Sequence, residues 1–238
     1  DWGLEMVAFE KLSQHTGAEI RGIDLRQKLA PDVAKQIYDI FVDHCVILFR
    51  DQDLTQDELV QASANFGTMA APGRPAEFRP SGMAEMNPRV MLITNIREDG
   101  KPIGALPDGE MWFHHDTSYY AEPHRATLLY SMVLPTWGGN TCFTNMYKAY
   151  DMIPRALRDK LEGRKVLQMH DYKRRERLNL DTSDLTKIRH NWQPIFITHP
   201  ATGKKALYIS RNRMEGIEGM DRAEAHRLID ELTAHATR

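Results

Sequence analysis

Short apolar runs, each stopped by a turn or a charge and none opening onto a glycine-rich loop and helix, set the fold class of this chain. Cys45-Val46-Ile47-Leu48-Phe49 stops at Arg50-Asp51-Gln52, and residues 126–134 stop at Pro135. Residues 90–96 form a further strand candidate, with a turn at Asp99-Gly100. Residues 194–200 and 205–210 flank Ala201-Thr202-Gly203-Lys204, a hairpin signature, and residues 18–25 alternate like a short strand. Helical periodicity follows Pro31 through Val33, Ile37, Ile40 and Phe41, and returns over about 146–161, broken by Pro154, which suits a first helical position. It closes the chain over 222–238, with Ala225, Leu228, Ile229 and Leu232 inward. Thr55 with Glu58 three residues on predicts a capping box, and Gly67 a stop for the helix between them. Strands of this length, with helices at the start, middle and end, predict a sheet sandwich or barrel covered by helices. A doubly wound nucleotide fold is disfavoured, because Gly138-Gly139 leads through Asn140-Thr141 into a β-like run rather than a helix.

The 238 residues, 42% of them hydrophobic, suit one domain over 1–238 with room for a buried pocket. A formal net charge of −2 removes any global electrostatic reason for a nucleic-acid or membrane partner, and Lys173-Arg174-Arg175-Glu176-Arg177 reads as a solvated face. Cys45 and Cys142 lie far apart in apolar or β-like runs, which predicts buried thiols in a reducing, cytoplasmic setting rather than a disulfide or zinc knuckle. No stretch has the length of a membrane span, and Asp1-Trp2-Gly3-Leu4 lacks the plan of a signal peptide. Residues 69–88, rich in Gly, Pro and Ala, predict a long surface loop or lid, and 171–191 predict helix and loop outside the core.

The chemistry concentrates at His114-His115-Asp116, bracketed by Trp112, Phe113, Tyr119 and Tyr120. On an extended strand His114 and Asp116 project to one side and His115 to the other. An imidazole and a carboxylate then converge, two of the three ligands of a non-haem Fe(II) site whose other face stays open to substrate and O₂. A hydrolase using the same pair as acid and base, or a zinc site, is the competing reading; neither Gly-x-Ser-x-Gly nor His-Glu-x-x-His occurs to support it.

Four stretches carry a family likeness in order: Gly17-Ala18-Glu19-Ile20-Arg21-Gly22-Ile23-Asp24-Leu25; Leu48-Phe49-Arg50-Asp51-Gln52 continuing to Phe66-Gly67; Phe113-His114-His115-Asp116 with Leu134-Pro135-Thr136-Trp137-Gly138-Gly139-Asn140-Thr141; and Thr198-His199-Pro200-Ala201-Thr202-Gly203-Lys204-Lys205-Ala206-Leu207-Tyr208. The chain resembles the taurine/2,4-dichlorophenoxyacetate dioxygenases. That resemblance implies a mainly β fold with flanking helices around a double-stranded β-helix (jelly-roll) core. It implies Fe(II) and 2-oxoglutarate as cofactor and cosubstrate, O₂ and a small organic acid as substrates, and a homodimer or homotetramer. It assigns His114 and Asp116 to the metal and Thr141 to the distal carboxylate of 2-oxoglutarate, with Glu110 and Tyr172 at the substrate pocket. The family's distal iron histidine lies in a late Trp-Asp-Asn-Arg-x-x-x-His stretch, with an arginine for 2-oxoglutarate soon after it. Neither occurs in these residues, and 234–238 resemble the helix just before. Both are therefore expected beyond residue 238, the jelly roll lacking its C-terminal segment; His199 and His235 match family positions that are not ligands. The alternative reading is a non-catalytic jelly-roll binding protein that has lost the metal.

Overall fold

A computed structural model describes residues 6–70, 79–105, 111–170 and 184–238. The chain divides into two compact units, Asp1–Met111 with Arg125–Leu134, and Trp112–His124 with Pro135–Arg238. Among the described residues ten short strands outnumber five α-helices, and they form two three-stranded sheets and two hairpins.

In the first unit β1 (Phe9–Lys11) runs antiparallel to β2 (Ala18–Ile20), and β2 runs parallel to β3 (Ile47–Phe49). A parallel pair needs a crossover, and α1 (Pro31–His44) supplies it. Pro31 lacks the N–H that a first turn leaves unused, Asp32 faces the positive helix end, and Cys45 ends the helix in the left-handed region at φ 66°. Ile37 of α1 packs with Ile20 and Phe66. α2 (Gln56–Ser63) begins with the expected box: the Thr55 hydroxyl accepts the Glu58 N–H and the Glu58 carboxylate accepts the Thr55 N–H. Asp99 and Gly100, both at positive φ, join β4 (Arg97–Glu98) to β5 (Lys101–Pro102) in the manner of a tight hairpin.

Several strand expectations fail in this unit for one reason. Residues 90–96 and 126–134 are apolar enough for strands, yet they make only a single bridge, Ile93 to Ala105. A strand exists only where a partner takes its N–H and C=O groups in a continuing ladder, and among the described residues only scattered bonds form, the Leu92 and Ile96 carbonyls accepting the Ala105 and Ile103 N–H groups. The end of the second run consequently lies in water, Val133 87% exposed, while Ala126 and Leu128 pack against the Ile20, Ile37 and Phe66 cluster and the Tyr130 hydroxyl accepts the Leu54 N–H at 3.0 Å. β3, expected to be fully buried, is half-buried. Of the expected 69–88 loop, residues 71–78 lie outside the described residues; Ser81–Met83 make a 3-10 turn that buries Met83.

The second unit is built on β6 (Lys165–His170), which pairs antiparallel with β7 (Arg189–Pro194) and β10 (Met214–Ile217). Val166, Met214 and Ile217 pack against Leu228, Ile229 and Leu232 of α5 (Arg222–Ala236), together with Ile195, Phe196 and Leu207 from the expected hairpin β8 (Phe196–Thr198) and β9 (Lys205–Leu207). Leu167 and Met169 pack with Leu185 and Ile188. α5 starts where the Asp221 carboxylate accepts the Ala223 and Glu224 N–H groups. The expected helical region, broken at Pro154, is two helices, α3 (Met146–Asp151) and α4 (Arg155–Leu161), with Pro154 at the N-cap rather than the first helical position. Residues 189–191, expected outside the core, pair along β6 as the start of β7; an exposed edge strand can be polar and still keep its ladder. Both cysteines are free, as expected, but Cys45 is only half-buried and Cys142 is exposed, the run around Cys142 having no partner strand among the described residues. Among the described residues no helix is long and apolar enough to cross a membrane.

Candidate metal centre

Residues 111–116 are irregular rather than the expected strand, and a turn follows over 116–119. Thr117 sits at φ 53°, an unusual value for a β-branched residue. Two bonds hold it there: its hydroxyl accepts the His124 N–H at 2.8 Å and its carbonyl accepts the Tyr120 N–H at 2.9 Å.

The expected convergence survives this change of conformation. His114 Nε2 lies 3.3 Å from Asp116 Oδ1. His114 Nδ1 lies 2.7 Å from the Trp112 carbonyl, which can only accept, so Nδ1 carries the proton and Nε2 keeps its lone pair on the side of Asp116 in the neutral ring. Two neighbouring ligands of a six-coordinate cation, each about 2.1 Å from it, stand about 3 Å apart. The observed separation, the fixed tautomer and the mixed nitrogen and oxygen donors therefore fit a first-row divalent ion such as Fe(II). Among the described residues no group of three or more His, Cys, Asp or Glu could hold a metal, so this pair is an incomplete ligand set.

The intervening residue anchors the pair. The His115 N–H donates to Ser210 Oγ at 2.8 Å, and its ring lies 4.5 Å from that of Tyr208. Tyr208 and Ser210 follow β9 two residues apart, and Ser210 is fully buried. Further along, the Ser118 hydroxyl donates to Gln168 Oε1 at 3.0 Å, Tyr119 stacks on His170 at 4.7 Å, and Gln193 Nε2 donates to the Tyr120 carbonyl at 2.6 Å. β6, β7 and the extension of β9 thus locate His114 and Asp116 through bonds to the residues around them.

Hydrogen bonding to Asp116 raises the His114 pKa above the ordinary 6.5, burial pulls it back, and the Trp112 carbonyl adds to the rise. His115 is pushed down to about 4, first by burial and then by the neighbouring His114 charge, so its stacked ring is neutral. Burial, then the charge of Asp116, lifts Tyr208 to about 12.

Thr141 lies in an exposed irregular segment, just after Gly138 and Gly139, both at positive φ. Glu110 and Tyr172 lie outside the described residues. His235 Nε2 is 2.8 Å from the Ala149 carbonyl, and His199 braces the β8–β9 turn by accepting the Gly203 N–H on its carbonyl. Sequence reasoning missed Tyr208, Ser210, Gln168 and Gln193. Alternation over 205–210 was the one available sign that Tyr208 and Ser210 share a face.

Residues 8–238 match the family model described as taurine catabolism dioxygenase TauD, TfdA family. The chain is 30% identical to the alpha-ketoglutarate-dependent 2,4-dichlorophenoxyacetate dioxygenase of Cupriavidus pinatubonensis, over 92% of this chain and 78% of that protein. It is 26% identical to the alpha-ketoglutarate-dependent sulfate ester dioxygenase of Pseudomonas putida, over 93% and 72%. Among solved structures, a taurine dioxygenase from Burkholderia xenovorans superposes with a TM-score of 0.76 at 27% identity, covering 98% of this chain and 74% of that one. The enzyme AAD-2, in complex with Mn(II) and N-oxalylglycine, shares the fold with a TM-score of 0.69 at 22% identity, covering 98% and 80%. The chain belongs to the TauD/TfdA family, oxidoreductases that depend on Fe(II) and on 2-oxoglutarate.

Proposed function

We propose that this protein hydroxylates a small organic acid, a sulfonate, an aryloxyalkanoate or a near relative, on a double-stranded β-helix core, as a homodimer or homotetramer. The observation that carries the reading is the 3.3 Å approach of His114 Nε2 to Asp116 Oδ1 with Nδ1 tied to a carbonyl. His114 and Asp116 are this chain's share of the iron ligands, and the third ligand is assigned to residues outside those described. Thr141 donates its hydroxyl to the distal carboxylate of 2-oxoglutarate, and Glu110 and Tyr172 line the substrate pocket. When bound, Fe(II) and 2-oxoglutarate supply the oxidising power, O₂ being reduced as 2-oxoglutarate breaks down to succinate and CO₂. The residues supply position: Trp112 fixes the imidazole, Ser210 and Tyr208 hold the backbone between the ligands, and neutral His115 adds no charge beside the metal.

The test is an anaerobic Mn(II) titration followed by the paramagnetic resonance of the free ion, on this chain and on His114→Ala and Asp116→Ala. Each substitution is expected to weaken binding at least tenfold. Equal depletion of free Mn(II) by all three proteins would place the metal elsewhere and refute the assignment.

A further inference from the structure

The Trp112 carbonyl accepts the His114 Nδ1–H at 2.7 Å, so the imidazole is only as well placed as Trp112 is. Packing holds Trp112 loosely: it is 57% exposed, in a segment without regular secondary structure. What meets its indole is a cation. The Arg211 guanidinium lies over the ring, 4.1 Å from its centre. That is well inside the ~6 Å over which the negative face of an aromatic ring attracts a positive charge, and indole attracts it best.

Arg211 is itself held at both ends. Its Nε donates to Asp230 Oδ1 at 2.8 Å, and Asp230 sits on α5 next to Ile229, which is fully buried. Its backbone lies in a turn closed by the Arg213 N–H, which donates to the Ser210 carbonyl at 2.8 Å. Ser210 and Arg211 thus grip the chain on either side of His114, the first at the His115 N–H and the second at the Trp112 ring. As a source of stability the ion pair is weak, because the side chains of Arg211 and Asp230 are 34% and 47% exposed and pairs in water contribute little. Its effect is directional: it lays a planar cation on one face of a ring that solvent would otherwise let turn.

We propose that Arg211 is a positioning residue for the metal centre: held by Asp230, it fixes Trp112 and, through the Trp112 carbonyl, the tautomer and direction of the His114 ring. The proposal rests on the iron-site reading for what His114 binds, but the contacts that run from α5 to the imidazole are those of the metal-free chain.

The test uses Arg211→Met, which keeps the stem and removes the charge, Arg211→Lys, which keeps a charge, and Asp230→Asn, which removes the anchor. Two readouts are taken beside the melting temperature of each. One is the imidazole nitrogen-15 spectrum of the metal-free protein at alkaline pH, the His114 signals being identified by their loss in His114→Ala; the other is the Mn(II) titration. Wild-type protein should show a protonated Nδ1 and a bare Nε2. In Arg211→Met the two signals should move toward each other and Mn(II) should bind at least about threefold more weakly, short of the effect of a group that touches the ligand itself. Arg211→Lys should stay within about twofold of wild type, and Asp230→Asn should follow Arg211→Met by a smaller amount. An Arg211→Met protein with wild-type nitrogen signals and Mn(II) affinity overturns the proposal. So do equal losses in Arg211→Met and Arg211→Lys that track their melting temperatures, since they reduce Arg211 to a structural contact, and a wild-type response in Asp230→Asn overturns the anchoring by α5. Failure of wild-type protein to bind Mn(II) would strike the iron-site reading instead, and the nitrogen spectra would still decide the role of Arg211.

Discussion

An imidazole binds a metal through a lone pair that a proton also wants, and at this centre the competition is biased by Asp116. The protonated His114 paired with Asp116 is favoured, so its pKa rises above 6.5 in the folded metal-free chain. The stabilisation from that pair is complete below the unfolded value and is lost as pH rises through the folded one. Metal binding has the opposite dependence, because it requires the proton to leave. The thermal shift produced by Mn(II) should therefore be small near about pH 5 and grow toward about pH 8, as melting curves with and without the ion would show. A shift independent of pH would mean that His114 is not a ligand. The approach of His114 to Asp116 was legible in the sequence because three adjacent residues carry it. Ser210 and Gln168 were not, since they reach the site from 95 and 50 residues away.

At the level of elements, the ligand segment has no ladder of its own and borrows order from β6 and β9. Removing the Ser210 hydroxyl leaves the His115 N–H without its acceptor, which costs about 1–3 kcal/mol when the group stays buried. Ser210→Ala should lower the melting temperature accordingly and weaken Mn(II) binding by up to about tenfold, although Ser210 touches neither ligand side chain. Full metal affinity in a destabilised Ser210→Ala would show that the anchor serves stability alone. Features that depend on a few neighbours were readable in advance: the Thr55 and Glu58 box, Pro31 at the start of α1, the Asp99-Gly100 turn and the β8–β9 hairpin. Strands were less so. Among the described residues 90–96 and 126–134 have the composition and no more than one bridge, whereas β6 and β7 have a partner with an ordinary or polar composition. Hydrogen-bond pairing is non-local, and no window of sequence contains it.

For the whole molecule the two units differ in how they bury apolar surface. Fifteen buried residues form one cluster around α5 in the second unit, whereas the two clusters of the first have three fully buried members each, among the described residues. In contrast, Leu129, Met132, Val133, Leu134, Trp137 and Phe143 are all well exposed over a single stretch of chain. Monomeric proteins rarely leave such stretches in water. This polypeptide on its own should bind a hydrophobic dye and associate as its concentration rises, measurable by light scattering; a dye-silent, concentration-independent monomer would contradict the exposure. Trp137, 92% exposed at the middle of that stretch, also makes it an optical gauge. Its indole emits from water, at the red edge of tryptophan fluorescence, and any chain or surface that covers the stretch will shift that emission toward the blue without a label having been attached.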